Sequence, residues 1–171
     1  MKKHGGMRPQ DIAILLWIAS LKNEQWTMKD VSIKVRVSAS EVSESLHRSS
    51  YAGLLSADKR IVLKNSLLEF IEHGLKYVFP VQPGSITRGM LTAHSAPPLN
   101  HLIESDFNFV WPAYFGEHRG QAIVPLYPAA PLACYKNQPL HELLALVDAV
   151  RVGKSREAGI ALQEIESRII G

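Results

Sequence analysis

The stretch TMKDVSIKVRVSASEVSESLHRSSYAGLLSADKRIVL, residues 27–63, decides the fold. Its middle part, SASEVSESLHRS (38–49), holds five serines in twelve residues, a poor composition for a buried helix. Yet Ser38 and Glu41 form an S-x-x-E box, in which the hydroxyl satisfies an orphan amide and the carboxylate reaches back. A helix over 39–51 is therefore predicted. Thr27 followed by Asp30 makes a similar start, predicting a short helix over 28–35 with Val31 and Val35 on one face. The serine-rich helix thus sits among well-patterned neighbours, and its polar surface needs a reason.

Upstream, Pro9 stands where a first helical residue belongs, and Ile12, Leu15, Leu16 and Ala19 recur at helical spacing. This predicts a helix over 8–22, preceded by a loose basic tail, MKKHGG (1–6). The apolar run IAILLWIA (12–19) falls far short of the roughly 20 residues that cross a bilayer, so it reads as a core helix and no membrane partner is expected. Downstream, LLSADKRIVL (54–63) places two β-prone arms around a polar ADK turn and reads as a small hairpin. Ser66 and Glu69 predict a helix over 67–73 that Gly74 stops. LKYVFPV (75–81) reads as a strand before Pro83-Gly84.

Three short helices followed by a hairpin is the order of a winged helix-turn-helix, whose third helix enters the major groove while the wing follows the backbone. At 3.6 residues per turn Ala39, Val42, Leu46 and Gly53 share one face and are expected to pack on the first helix. Ser40, Ser43, Glu44, His47 and Tyr51 fall on the opposite face, with Arg48 at its edge. Serine hydroxyls reach base edges without blocking close approach, Glu44 can accept from cytosine, and Arg48 can pair with guanine or phosphate. Lys29, Lys34 and Arg36 around the second helix, with Lys59 and Arg60 at the wing, are placed for phosphates. Net charge is only +3, but residues 1–80 hold twelve Lys/Arg against eight Asp/Glu, whereas residues 81–171 hold seven against eight. The positive excess lies in the half that would meet a polyanion.

The stretch 27–63 resembles winged-helix bacterial transcription regulators of the broad MarR/ArsR type. Separately, LHELLALVDAVRVGKSREAGIALQEIESRI (140–169) is similar to the tail of antitoxin-like regulators found beside nucleotidyltransferase-type toxins. These resemblances imply a DNA-binding class, and for the second a toxin-like partner protein, but no individual catalytic residue.

Nine of the ten prolines lie from Pro80 onward, in stretches such as SAPPL and PLYPAAPL, and helical periodicity disappears over 82–138. Loops and short strands that wrap the chain are expected there. GSITRGM (84–90) and GEHRGQ (116–121) each set an arginine beside glycine, so Arg88 and Arg119 are candidates for an anionic effector or a partner's carboxylates. Trp111, Tyr114, Phe115 and Tyr127 read as core aromatics or the floor of a pocket. Helical period resumes over 140–152 and again over 155–170. Their apolar stripes, Leu140-Leu143-Leu144-Val147 and Ala158-Ala161-Leu162-Ile165-Ile169, can pair with each other, with the first helix or with a second chain, and a homodimer is expected.

Other motifs do not mature into chemistry. Gly153-Lys154-Ser155 lacks the glycine five residues earlier that a phosphate loop needs, because position 148 is aspartate. The seven histidines form neither HxH nor HExxH, so neither metal nor cofactor is expected. Ser95 has His94 beside it but no nucleophile-elbow glycines. Cys134, the single cysteine, rules out an intrachain disulfide and fits a reducing, cytoplasmic setting; in LACY it reads as a small buried hydrophobe.

The sequence therefore predicts a mainly α chain with small β elements. Residues 7–80 would form a winged helix-turn-helix, 81–138 a proline-rich wrapping segment and 139–171 a helical pair for dimerisation. The expected function is a homodimeric, sequence-specific double-stranded DNA-binding regulator, a repressor or antitoxin-like protein, and not an enzyme. The alternative is an interaction module, antitoxin or adaptor, whose winged helix does not itself read DNA.

Overall fold

Pro9 opens α1 (Pro9–Ser20), and every residue from Asp11 to Ala19 is buried. Such all-round burial is what an apolar helix with no polar face demands. The computed structural model describes residues 5–171, so the first four residues of the basic tail lie outside the described part. α2 (Met28–Val35) starts at the predicted box: the Thr27 hydroxyl accepts from the Asp30 amide, and the Asp30 carboxylate accepts from the Thr27 amide at 2.8 Å. It ends at Arg36, whose φ of 59° is left-handed. The Ser32 hydroxyl donates to the Val37 carbonyl at 2.6 Å, closing the turn. α3 (Ala39–Tyr51) follows with Ser38 as its cap. α1, α2 and α3 all pack on one another.

The hairpin is a stub. Leu55 and Val62 form a single antiparallel bridge, closed by Ser56 donating to Ile61 and Leu63 donating to Leu54. α4 (Lys64–His73) then starts directly at the end of this bridge, with Leu63 in the cap position and no side-chain cap. The Ser66–Glu69 box therefore falls inside the helix, because the paired arm sets the chain's entry and Leu67 and Ile71 set its buried face. Residues 75–81 are not a strand. Gly74 bonds back to Phe70, its carbonyl accepts from Tyr77 and Val78, and the chain makes one further turn, α5 (Leu75–Val78). Leu75 and Phe79 are buried while the three residues between them are exposed, which is helical spacing despite the β-prone composition.

The proline-rich middle builds a three-stranded sheet around which two 3-10 turns and loops wrap. β1 (Ile86–Thr92) pairs antiparallel with β3 (His118–Ala122) along its first half and with β2 (Phe109–Pro112) along its second. β2 and β3 also pair in parallel, Phe109 with Gln121 and Val110 with Ala122, so the sheet closes on itself. Two glycines permit this closure. A β-carbon on Gly89 would sit 2.0 Å from the Trp111 carbonyl oxygen, and one on Gly120 would sit 2.4 Å from that of Asn108.

α6 (Ala130–Cys134), α7 (Gln138–Val152) and α8 (Ser155–Ile169) complete the chain. α7 pairs with α8 and also packs on the rest of the chain. Every residue from Leu143 to Val150 is buried, and the helix packs against α8, β1, α5, α6, α4 and α1. One hydrophobic cluster accordingly runs from Ile12 to Ile169. The α7 stripe is buried within the chain, and of the α8 stripe Ala161, Ile165 and Ile169 are buried while Ala158 and Leu162 are half-buried. No helix among the described residues is long and apolar enough to cross a membrane.

Asp148, on α7, ties the sheet to this core. Its carboxylate accepts from the Thr92 hydroxyl and the Trp111 indole N–H, both at 2.6 Å, and from Arg151 at 2.9 Å. Arg151 also donates to the Phe79 carbonyl, binding the first half of the chain to α7. Burial raises the Asp148 pKa, and these three donors oppose it. Two turns earlier on α7, the buried His141 donates from Nε2 to the Leu91 carbonyl at 2.8 Å.

Burial holds the His141 pKa below its ordinary 6.5, so the folded chain keeps the ring neutral. The unfolded chain gains a proton as pH falls through that value, and the folded chain does so only at lower pH. This contribution to stability is complete above the unfolded pKa and is lost on acidification towards the folded one. Denaturant unfolding at about pH 7.5 and about pH 5.5 is expected to show a smaller loss in His141→Gln than in the natural chain. Equal losses would place the acid sensitivity in other groups.

Candidate nucleic-acid interface

α3 divides the serines of the opening stretch into two sets. Ser45 and Ser49 are fully buried one turn apart, beside Val42 and Leu46. Their hydroxyls have no hydrogen-bond partner among the described residues. Their size is what the inward face uses, because a small side chain lets helices approach closely. Ser40 and Ser43 are exposed, as are His47 and Tyr51. The positions 43, 47 and 51 recur every four residues, and 40 lies one turn before 43, so these four form one stripe along the outside of the helix. Glu44 is half-buried at the margin of the stripe.

Arg48 is not at the edge of that stripe, and its assignment as a base or phosphate contact is corrected. The side chain is 7% exposed and lies between α1 and α3. Its Nε donates to Asp11 Oδ2 at 2.9 Å and its Nη2 to Asp11 Oδ1 at 2.7 Å, a bidentate pair. Nη2 also donates to Glu41, on which Gln10 and Arg8 converge from α1 and its cap. Asp11 itself is wholly buried and accepts the Arg8 amide at 2.8 Å. The hydrogen bonds from Arg48 to Asp11 raise the already high guanidinium pKa further. Glu41 thus serves this network, since Ser38 caps the helix without it. Asp11 could have been suspected from sequence, as a lone carboxylate in an apolar helix, but its partner could not.

Cations stand on the elements before and after α3. Lys29, Lys34 and Arg36 are exposed, the last thrown outward by its left-handed backbone. Lys59 is half-buried at the tip of the hairpin stub, with φ of 61°. Arg60 has a second commitment: its guanidinium lies 4.2 Å from the Trp26 ring centroid and donates to the Trp26 carbonyl at 2.7 Å. It pins the stub to the α1–α2 loop, and only its remaining N–H groups can reach a phosphate. Trp26 was not singled out from sequence. A cavity of about 320 Å³ opens beside it, with Lys22, Arg60 and Lys64 in its walls.

The other sequence candidates distribute as follows. Arg88 and Arg119 are brought directly opposite each other on β1 and β3. Trp111 and Tyr127 are buried, and the Tyr127 hydroxyl donates to the Val35 carbonyl at the end of α2. Cys134 is buried with its thiol pKa raised by that burial. His94 is packed between Phe107 and Phe109. No group of three His, Cys, Asp or Glu able to hold a metal ion occurs among the described residues.

Comparison of the chain with protein-family models, with curated proteins and with solved structures returned no match.

Removing Arg48 leaves a buried carboxylate uncompensated, which costs about 3–5 kcal/mol. Arg48→Ala is expected to lose that much in urea unfolding, whereas Arg48→Lys recovers only part, because an ammonium cannot reproduce the bidentate fork. A loss below about 1 kcal/mol would show the pair to be a solvated one.

Proposed function

We propose that the chain is a sequence-specific DNA-binding regulator of transcription that reads duplex DNA through α3. The order and packing of α1, α2 and α3, with the turn closed by Ser32 and a short hairpin after α3, suit a winged helix-turn-helix. The observation that carries the reading is the outward stripe Ser40-Ser43-His47-Tyr51, opposite a face locked by buried charges. Hydroxyls and an imidazole can donate to and accept from base edges in the major groove. Lys29, Lys34, Arg36 and Lys59 would hold phosphates on either side. With Arg48 withdrawn, base reading rests on short polar groups, not on an arginine–guanine fork.

Regulators of this arrangement set two reading helices about 34 Å apart, and we infer a homodimer on that ground. The contact would lie outside the α7 stripe, which is buried within the chain. Sedimentation equilibrium at micromolar concentration is the check, and a monomer alone would remove the dimer.

A second reading has its own support. α3 contains no other lysine or arginine than the buried Arg48, while Ile33 and Tyr51 are 61% and 72% exposed nearby. A face of that kind also suits a protein partner, as in an antitoxin or adaptor.

Fluorescence anisotropy against the chain's own upstream duplex and a scrambled one, at two salt concentrations, separates the readings. His47→Ala is expected to weaken the preferred duplex by about 1–3 kcal/mol and the scrambled one little. Lys34→Ala should weaken both alike and lower the salt slope by about one. Flat curves on both duplexes would favour the protein-binding reading.

A further inference from the structure

Arg88 and Arg119 are 31 residues apart in sequence and become exact cross-strand partners, Arg88 on β1 opposite Arg119 on β3. Paired residues project from the same face with their β-carbons about 5 Å apart, and like charges so placed repel. Both side chains are exposed. Among the described residues, neither guanidinium engages a carboxylate or a hydrogen-bond acceptor. The closed sheet therefore carries an uncompensated double positive charge at a fixed register.

The neighbouring glycines show that this register is not loose. Gly89 and Gly120 follow the two arginines and sit where a β-carbon would strike the backbone of β2 or of Asn108 just before it. Each glycine is explained by the closure of the sheet. The arginines are not, because nothing in the packing uses them and their proximity is unfavourable. An anion between them would reverse that sign. A carboxylate offers two coplanar oxygens, which one guanidinium fork saturates. A phosphate group offers oxygens in several directions and can accept from two forks at once.

We propose that Arg88 and Arg119 form a phosphate clamp on the sheet, separate from the α3 surface. Its ligand is a phosphate group, belonging either to a nucleic-acid backbone or to a small phosphorylated molecule. The inference stands whether or not α3 reads DNA.

The test uses the full chain, the single variants Arg88→Gln and Arg119→Gln, and the double variant. Thermal unfolding is followed in sodium phosphate and in sodium chloride of matched ionic strength. Phosphate at about ten times its dissociation constant is expected to raise the natural chain's Tm by roughly 3–5 °C over chloride. The double variant should lose that increment while keeping its Tm in chloride, because it removes only an exposed repulsion. Duplex anisotropy on the same proteins then identifies the source. A several-fold loss of affinity for every sequence, with the salt slope reduced by about two, points to backbone phosphates. Unchanged duplex binding with the phosphate increment lost points to a small phosphorylated ligand. Equal Tm values in phosphate and chloride for the natural chain would overturn the clamp, as would a polyglutamate peptide that binds through the pair where phosphate does not.

Discussion

The bidentate contact between Arg48 and Asp11 fixes how α3 is rotated about its own axis, and the candidate interface depends on that rotation. Turning the helix so that Arg48 faced solvent would bring His47 or Ser43 towards α1 and leave Asp11 buried without a cation. A buried pair of this kind adds little net stability over a hydrophobic substitute, but breaking it is expensive. Its consequence is orientation. The small Ser45 and Ser49 fit the same inward face, so burial of an arginine and burial of serines are parts of one packing solution.

A second set of polar contacts does for the rest of the chain what this pair does for the helices. Asp148 gathers Thr92, Trp111 and Arg151, and Arg151 reaches the Phe79 carbonyl, so sheet, central helix and first half share one buried node. Tyr127 extends the coupling to the far side by bonding the last carbonyl of α2. The proline-rich segment thus touches the end of α2 through one buried hydroxyl.

Local signals in the sequence were a good guide where the chain obeys local rules. The box at Thr27–Asp30 and the cap at Ser38 placed α2 and α3 with their observed bounds, because capping is settled within four residues, although Glu41 turns to Arg48 and completes no box. The box at Ser66 failed, since the start of α4 is set by the bridge between Val62 and Leu55, and LKYVFPV failed because burial of Leu75 and Phe79 overrode strand propensity. Long-range pairing was invisible. Arg48 looked like a groove residue because its partner lies 37 positions away, and the tie between Arg88 and Arg119 follows from a register that no local pattern encodes. The stripes of α7 and α8 were legible as apolar, with each other, the first helix and a second chain all open as partners, and the structure packs them on each other and on α1, a choice that only long-range contacts decide.

The most direct measurement is an amide NMR titration of the full chain with the duplex from its own upstream region. The account expects the perturbed amides to concentrate on Ser40, Ser43, His47 and Tyr51 and on the α2 lysines, with Asp11 and Arg48 unmoved in their buried pair. Perturbation that spares α3 altogether, with binding intact, would contradict it.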